Sequence, residues 1–293
     1  MKRALDLNAA GAYLELTKPR ITALVVFTTA AGLWLAPSRP ALHTALFTIA
    51  CTALVVAAAN VLNMYLERDT DALMPRTMRR PLPSGRLEPR RALVFGLALA
   101  AVSVPLLTAA AGAIPGLLAA IALVSYVLLY TPMKQRTATS LLVGALAGAI
   151  PPLIGWTAAT GRLDLPGLLL FAVLFLWQVP HFLAITLFRR REYAAAGLIV
   201  QPNEPGGERE ALRNIVLYTL ALVAVSLMFI PLGVGGTIYL AAAVVSGALF
   251  LALGVHGLRA DPVDRWARKE FLGSLAYLTV LLAVLLLDRP PAF

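Results

Sequence analysis

Residues 41–66 read ALHTALFTIACTALVVAAANVLNMYL, and this stretch decides the class of fold. It contains no Asp, Glu, Lys or Arg along its whole length. A helix that crosses a bilayer needs about 20 consecutive, mostly apolar residues. The stretch therefore predicts a transmembrane helix rather than a buried helix of a soluble core.

Eight further apolar blocks of similar length occur along the chain. They cover roughly residues 21–36, 92–112, 114–131, 141–159, 166–188, 212–232, 237–257 and 270–287. The composition agrees: 59% of residues are hydrophobic and 14% charged, against about 45–50% and about 25% in soluble proteins. This excludes an ordinary cytosolic enzyme, a disordered protein and, with a single Cys, a disulfide scaffold. We predict an all-α integral membrane protein with nine transmembrane helices, in one domain over residues 1–293.

The positive charges predict the orientation of this protein. The connections between the nine blocks lie alternately on the two sides of the membrane. Of the 25 Lys and Arg residues, 22 lie on the same side as the N-terminus. The other side has only Arg39, Arg162 and Arg289. Basic residues concentrate on the cytoplasmic side of membrane proteins. We therefore predict a cytoplasmic N-terminus, an external C-terminus and two cytoplasmic site loops, about 67–91 and 189–211. The charge reflects topology, so no nucleic-acid partner is expected. Without a recognisable signal or transit segment in the first twenty residues, we expect a bacterial inner membrane.

Polar residues gather where the quoted stretch ends. Asn63, Glu67 and Asp71 are spaced four residues apart, which places them on one face of a helix. Mg²⁺ takes oxygen ligands and completes its shell with water and phosphate. The spacing predicts a magnesium site with these three ligands, and Asp69 on another face.

Arginines follow this acidic stripe directly. They are Arg76, Arg79, Arg80 and Arg86. Guanidinium groups bind phosphate oxygens in a bidentate manner, so the pattern indicates a metal-bound diphosphate. A solvated loop that merely sets topology is the simpler alternative. Asn63 favours the metal, because it lies deeper in the membrane, where a polar side chain needs a partner.

Further stretches extend the pattern over residues 15–288. They are ELTKPRI (15–21), NVLNMYLERDTD (60–71), RT (76–77), RPLPSGR (80–86), YTPMKQR (130–136), GAIPPLIGW (148–156), WQVPHF (177–182), REY (191–193), Gly197, FLGSLAYL (271–278) and LD (287–288). Together they resemble the UbiA-type membrane prenyltransferases, a superfamily with nine transmembrane helices. The likeness is greatest to the branch of the family whose acceptor is heme.

This resemblance implies a reaction. A farnesyl group would pass from farnesyl diphosphate to a vinyl group of heme b, with addition of water, giving heme O and diphosphate. Mg²⁺ would be the cofactor, and heme b, farnesyl diphosphate and the lipid bilayer the partners. Heme A synthase or terminal-oxidase assembly proteins are further candidate partners. Allylic diphosphates ionise when a metal and basic residues stabilise the leaving group, so the acidic stripe and its arginines fit this chemistry.

The resemblance also assigns residues. Asn63, Glu67 and Asp71 match the first metal-binding motif, with Glu67 where many relatives have Asp; Glu67 and Asp71 also become candidate catalytic residues. Five basic residues match or neighbour the expected diphosphate contacts: Arg76, Arg80, Lys134, Lys18 and Arg20, the last two being weaker candidates.

Two features favour the heme branch over quinone-type enzymes. A second Asp-x-x-x-Asp motif, common in the family, is missing after residue 181, where only Glu192 could be a ligand. His181 lies in the Pro-His-Phe segment and is a candidate catalytic residue. It could ligate heme iron, act as a base for the water addition, or simply satisfy a buried hydrogen bond.

Other functions remain open from the sequence. A prenyltransferase acting on an aromatic acid or a quinone precursor is the nearest alternative. A transporter would place polar residues at mid-membrane, whereas this chain gathers them at one face. A non-catalytic heme carrier would need His181 but not the acidic stripe. Gly144, Gly148, Gly155 and the Pro151-Pro152 pair, all in the fifth predicted helix, are expected to mark close packing and a kink rather than chemistry.

Overall fold

A computed structural model describes residues 10–288, and over this part of the chain the structure is helical, with no strand. We label its nine long helices α1 to α9. They are α1 Pro19–Leu35, α2 Leu42–Asp71, α3 Pro89–Ala111, α4 Ala113–Met133, α5 Ser140–Thr160, α6 Leu165–Phe188, α7 Gly207–Leu227, α8 Thr237–Gly257 and α9 Val263–Leu287. The prediction of an all-α protein is confirmed.

Eight of these helices, α2 to α9, are long and apolar enough to cross a membrane. The remaining one, α1, is apolar but has 17 residues. The chain is thus a multi-pass membrane protein, and the ninth span and the sides of the termini remain predictions. Residues 1–9 and 289–293, including Arg289, lie outside the described part.

Three helices depart from the apolar blocks in an informative way. α2 continues five residues beyond its block, to Asp71, and α9 begins seven residues before its block, at Val263. Charged side chains form helix readily, so hydropathy underestimates helix length at the membrane surface. The helix predicted from the block at 212–232 is shifted towards the N-terminus, since α7 covers Gly207–Leu227. Pro231 prevents helix at its end, because proline cannot donate the next hydrogen bond.

Helices α5 and α6 form the centre of the bundle. α5 packs against α1, α4 and α6, and α6 packs against α7 and α9 as well. In addition, α2 packs along α3, and α8 packs along α9. The central pair therefore joins the N-terminal helices to the C-terminal ones.

Small residues let α1 and α5 approach closely. A Cβ atom added at Gly155 would lie 2.0 Å from the carbonyl oxygen of Thr29, and one at Gly32 would lie 2.0 Å from that of Pro152. Without a hydrophobic driving force inside a bilayer, such close backbone contact is what holds membrane helices together. The interpretation of the helix-five glycines as packing residues is confirmed.

The segments that follow α2, α4 and α6 pack together at one end of the bundle. Met74, from the first segment, forms an apolar cluster with Ala196 and Leu198, from the third. Ile199 donates a backbone hydrogen bond of 2.8 Å to the carbonyl of Lys134, just beyond α4. The polar residues of all three segments are thereby brought to one place.

We predict that Gly155→Ala destabilises the protein. The new methyl group would overlap backbone atoms of α1, and overpacking of this kind costs about 1–3 kcal/mol. Gly254→Ala is the matched control, since its Cβ would have no atom nearer than 3.7 Å. Thermal unfolding in detergent should show a clearly lower midpoint for Gly155→Ala alone; equal midpoints would contradict the close α1–α5 contact.

Candidate active site

The acidic stripe lies along the last turns of α2. Asn63 and Asp71 are each only 1% exposed, and Glu67 is half-buried. Asp69 is exposed and pairs with its neighbour Arg68 at 3.4 Å. Because α2 remains helical as far as Asp71, the predicted common face is present and Asp69 points away from it.

Each member of the stripe meets a different basic residue. Lys18 Nζ donates to Asn63 Oδ1 at 3.1 Å. Lys134 Nζ donates to Glu67 Oε1 at 2.7 Å. Arg80 Nη1 donates to Asp71 Oδ2 at 2.6 Å. The structure thus joins residues predicted as metal ligands with residues predicted as diphosphate contacts in one cluster, which we call the α2 cluster.

Local backbone geometry positions the basic residues. Lys18 has a left-handed conformation, φ 48° and ψ 65°, which is strained for a non-glycine residue before proline. It lies at the start of α1, where its side chain reaches Asn63. After α2 the chain folds back in a tight loop, in which Thr77 Oγ1 donates a hydrogen bond of 2.8 Å to the carbonyl of Asp71. This loop places Arg80 beside the end of α2.

A π-helical segment of α4, Ser125–Tyr130, leads to Lys134. Such π-bulges are frequent at functional sites, since the extra residue redirects the side chains that follow. The ammonium group of Lys134 lies 4.3 Å from the centre of the Tyr130 ring, a favourable cation–π distance. The α4 segment therefore presents both a cation and an aromatic face to the α2 cluster.

Two polar residues that follow the π-helical segment were missed by sequence reasoning. Thr131 Oγ1 accepts a hydrogen bond of 3.1 Å from Asn63 Nδ2, and Gln135 Nε2 donates to Thr70 Oγ1 at 2.7 Å. Both lie in the YTPMKQR stretch that carried the resemblance. Their position beside Lys134 was the available signal, but neither residue type is charged.

Positive charge exceeds negative charge in the α2 cluster, with Lys18, Lys134 and Arg80 against Glu67 and Asp71. Burial, together with the charges of Arg80 and Lys134, lowers the pKa of Lys18 to about 7, although Glu67 and Asp71 oppose the shift. Burial also disfavours the charge of Lys134, but Tyr130 and Glu67 outweigh it and raise its pKa above the usual value. An anion bound here would relieve the excess charge.

Arg76 and Arg20, the other two predicted diphosphate contacts, are not part of the α2 cluster. Arg76 is exposed and lies near Tyr193 of the segment after α6: burial raises the pKa of Tyr193, and the charge of Arg76 partly offsets this. Arg20 is exposed on the first turn of α1. Among the described residues, no hydrogen bond or ion pair links Arg20 to the α2 cluster.

The donor set of the stripe fits Mg²⁺ in type. Asn63, Glu67 and Asp71 offer one amide and two carboxylate groups, and hard oxygen donors are what this ion prefers. Over residues 10–288 there is no group of three or more His, Cys, Asp or Glu residues that could hold a metal. Two carboxylates suffice where water and substrate phosphate complete the shell, as is usual for Mg²⁺.

His181 lies in a separate aromatic environment between α6 and α9. It is 9% exposed; its ring stacks on Trp177 at 4.6 Å and approaches Phe271 at 4.8 Å. Its Nδ1 atom shares a hydrogen bond of 2.8 Å with Ser274 Oγ. No hydrogen bond to Nε2 is seen in the described part of the chain. The structure does not bring His181 into contact with the α2 cluster.

Two acidic residues lie apart from the stripe. Glu192 pairs with Arg189 of its own segment at 2.8 Å. Glu270 is 0% exposed on α9, and neither carboxylate oxygen has a hydrogen-bond partner among the described residues. Sequence reasoning did not single out Glu270, the first residue of the apolar block at 270–287. Its burial depends on the packing of α7 and α8, which no local pattern reveals.

Comparison with known proteins places this chain in a family. The UbiA prenyltransferase family matches residues 25–276. A protoheme IX farnesyltransferase from Sorangium cellulosum is 52% identical over 279 residues, covering 90% of this chain and 99% of that protein. Another from Myxococcus xanthus is 51% identical over 284 residues, covering 97% and 96%.

Solved structures share the fold at low sequence identity. A digeranylgeranylglyceryl phosphate synthase superposes with a TM-score of 0.83 and 18% identity, covering 96% of this chain and 98% of that chain. A UbiA homolog from Archaeoglobus fulgidus bound to GPP and Mg²⁺ superposes with a TM-score of 0.67 and 18% identity, covering 94% and 99%. With a family match over most of its length, this chain belongs to the UbiA prenyltransferase family.

Proposed function

We propose that the chain transfers a farnesyl group from farnesyl diphosphate to a vinyl group of heme b, with addition of water, giving heme O and diphosphate. The observation that carries the proposal is the pairing of Lys18, Lys134 and Arg80 with the acidic stripe of α2. The two relatives above, named as protoheme IX farnesyltransferases and matched over nearly their whole length, support heme as the acceptor.

The α2 cluster is the diphosphate site in this proposal. Lys18, Lys134 and Arg80 bind the diphosphate oxygens, with Arg76 and Arg20 as outer contacts. They stabilise the negative charge that develops as the allylic C–O bond breaks and diphosphate leaves with the electron pair. Glu67 and Asp71 hold these cations in position before substrate binds.

Asn63, Glu67 and Asp71 would also hold Mg²⁺. When bound, the ion supplies charge neutralisation that makes diphosphate a better leaving group. The Archaeoglobus fulgidus homolog that binds GPP and Mg²⁺ supports this assignment. The sequence has no second Asp-x-x-x-Asp pair after residue 181, so the proposal assigns protein ligands to one ion only.

His181 is proposed to act later in the reaction. The vinyl π electrons attack the allylic cation and form the new C–C bond, which leaves a cation on the former vinyl group. Water adds there and must lose a proton. With Nδ1 held by Ser274, the Nε2 atom of His181 is the available base, or alternatively the group that binds heme iron.

The remaining proposals concern topology and partners. We infer that α1 is the ninth span, so that the N-terminus is cytoplasmic and the C-terminus external, within a single domain over residues 1–293. The α2 cluster then faces the cytoplasm of a cell with this protein in its inner membrane. Heme A synthase or terminal-oxidase assembly proteins would receive the product.

Mass analysis of extracted heme tests the reaction directly. Purified protein is incubated with heme b, farnesyl diphosphate and Mg²⁺, with an EDTA control. We expect a porphyrin heavier by one farnesyl group and one hydroxyl group, formed only without EDTA, because the leaving group needs charge neutralisation. Unchanged heme, with diphosphate released on adding 4-hydroxybenzoate or a quinone precursor, would instead identify an aromatic acceptor. No diphosphate release with any acceptor would favour a heme carrier or transporter.

Asp71→Ala and Asn63→Ala should each abolish detectable turnover. Each leaves a buried basic side chain without its partner and removes an oxygen ligand. The loss should be at least about 100-fold, comparable to removal of one electrostatic group at a developing charge. Asp69→Ala, on the exposed face of the same helix, is the matched control and should remain near wild type. Near-normal rates in both site variants, with intact helicity, would remove the stripe from the mechanism.

His181→Ala should lower heme binding or turnover more than His43→Ala, since His43 is exposed near the start of α2. His181→Gln keeps a polar partner for Ser274 and separates loss of packing from loss of the imidazole. Heme binding followed by absorbance and turnover followed by mass should both fall for His181→Gln. If this variant behaves like His43→Ala, His181 serves only the α6–α9 packing.

A further inference from the structure

An open groove of about 490 Å³ lies on the outside of the bundle, away from the α2 cluster. Tyr13, from a helical segment over residues 10–16, forms one wall. The first three turns of α3 form the other, with Arg90, Arg91, Val94, Phe95 and Ala98. Tyr13 and Phe95 meet edge to face at 5.0 Å, which closes the inner side of the groove.

Polarity changes sharply along this groove. Arg90 and Arg91 occupy its end at the start of α3, and both are exposed. Arg91 pairs with Glu88 at 3.1 Å, whereas Arg90 has no ion pair within residues 10–288. Val94 and Ala98 follow about 6 and 12 Å further along the helix from Arg90. The groove thus passes from a basic mouth to an apolar floor over the depth of a lipid headgroup region.

The apolar end of the groove belongs to a lipid-facing surface. Val94 is 67% and Leu97 52% exposed on α3, a helix long and apolar enough to span the membrane. Exposed apolar side chains at this depth are solvated by acyl chains rather than by water. An occupant of the groove must therefore combine an acyl chain with a group that arginines bind.

We propose that this groove is a binding site for an anionic phospholipid. The headgroup phosphate is held by Arg90 and Arg91, and one acyl chain lies along Val94, Phe95 and Ala98. Guanidinium groups suit phosphate oxygens, and basic pockets beside transmembrane helices are a recurrent mode of lipid headgroup binding. The chain's own residues 1–9 are a poorer match, because their sequence includes Lys2 and Arg3.

Native mass spectrometry of the full chain in detergent tests this site. Phosphatidylglycerol or phosphatidylcholine with identical acyl chains is added, and the fraction of lipid-bound protein is measured. Wild type should retain phosphatidylglycerol preferentially. The Arg90→Gln/Arg91→Gln variant should bind it about 25-fold more weakly, since each basic side chain near an anionic headgroup contributes about fivefold.

Two further variants make the test specific. Arg265→Gln/Lys269→Gln removes two exposed charges from the start of α9, outside the groove, and should bind phosphatidylglycerol like wild type. Ala98→Trp fills the apolar floor while keeping both arginines, and should also weaken binding. Prenyl transfer in detergent should persist in the Arg90→Gln/Arg91→Gln variant, because neither arginine belongs to the α2 cluster.

Several results would overturn the proposal. These are equal retention of both lipids by wild type, unchanged binding in Arg90→Gln/Arg91→Gln, or complete displacement of phosphatidylglycerol by inorganic phosphate, which would indicate a site for a free anion. A marked gain in lipid binding on deleting residues 2–9 would show that this segment occupies the groove instead.

Discussion

The ion pairs around the end of α2 are the constraint on which this structure depends. Glu67 and Asp71 lie on a membrane helix, where an unpaired charge is costly. Lys134 pairs with Glu67 and Arg80 pairs with Asp71, which offsets this cost. Lys18 donates a hydrogen bond to the buried amide of Asn63. Because these cations come from three separate segments, the pairs also determine where α1 begins, how α4 ends and how the loop after α2 folds back.

The same pairs prepare the site for its ligand. Cations held by carboxylates need little rearrangement to bind a diphosphate, and preorganised charge of this kind is the main source of electrostatic catalysis. Three basic groups face two carboxylates, and an anion bound among them would favour the charged form of Lys18, whose pKa burial, Arg80 and Lys134 lower. His181, by contrast, already has partners within the protein: Nδ1 shares a hydrogen bond with Ser274, and the ring stacks on Trp177.

Packing in the rest of the bundle serves to hold this arrangement. Close approach of α1 and α5 at Gly155 sets the position of α1, and the cluster of Met74, Ala196 and Leu198 joins the segments after α2 and α6. Neither contact touches the proposed substrates. Both act on the site through the backbone that carries Lys18 and Arg80, so the geometry of the charges depends on apolar contacts some distance away.

Hydropathy and helical periodicity are local properties, so the helical membrane class and the common face of Asn63, Glu67 and Asp71 could be predicted from the sequence. It also carried the family motifs. The packed fold was needed to show which cation meets which oxygen, since Lys18 and Asn63 are 45 residues apart and Glu67 and Lys134 are 67 apart. It likewise decided that Thr131 joins the site, that His181 lies outside the α2 cluster and that Glu270 is buried. Each of these depends on helices that meet only when the bundle is packed.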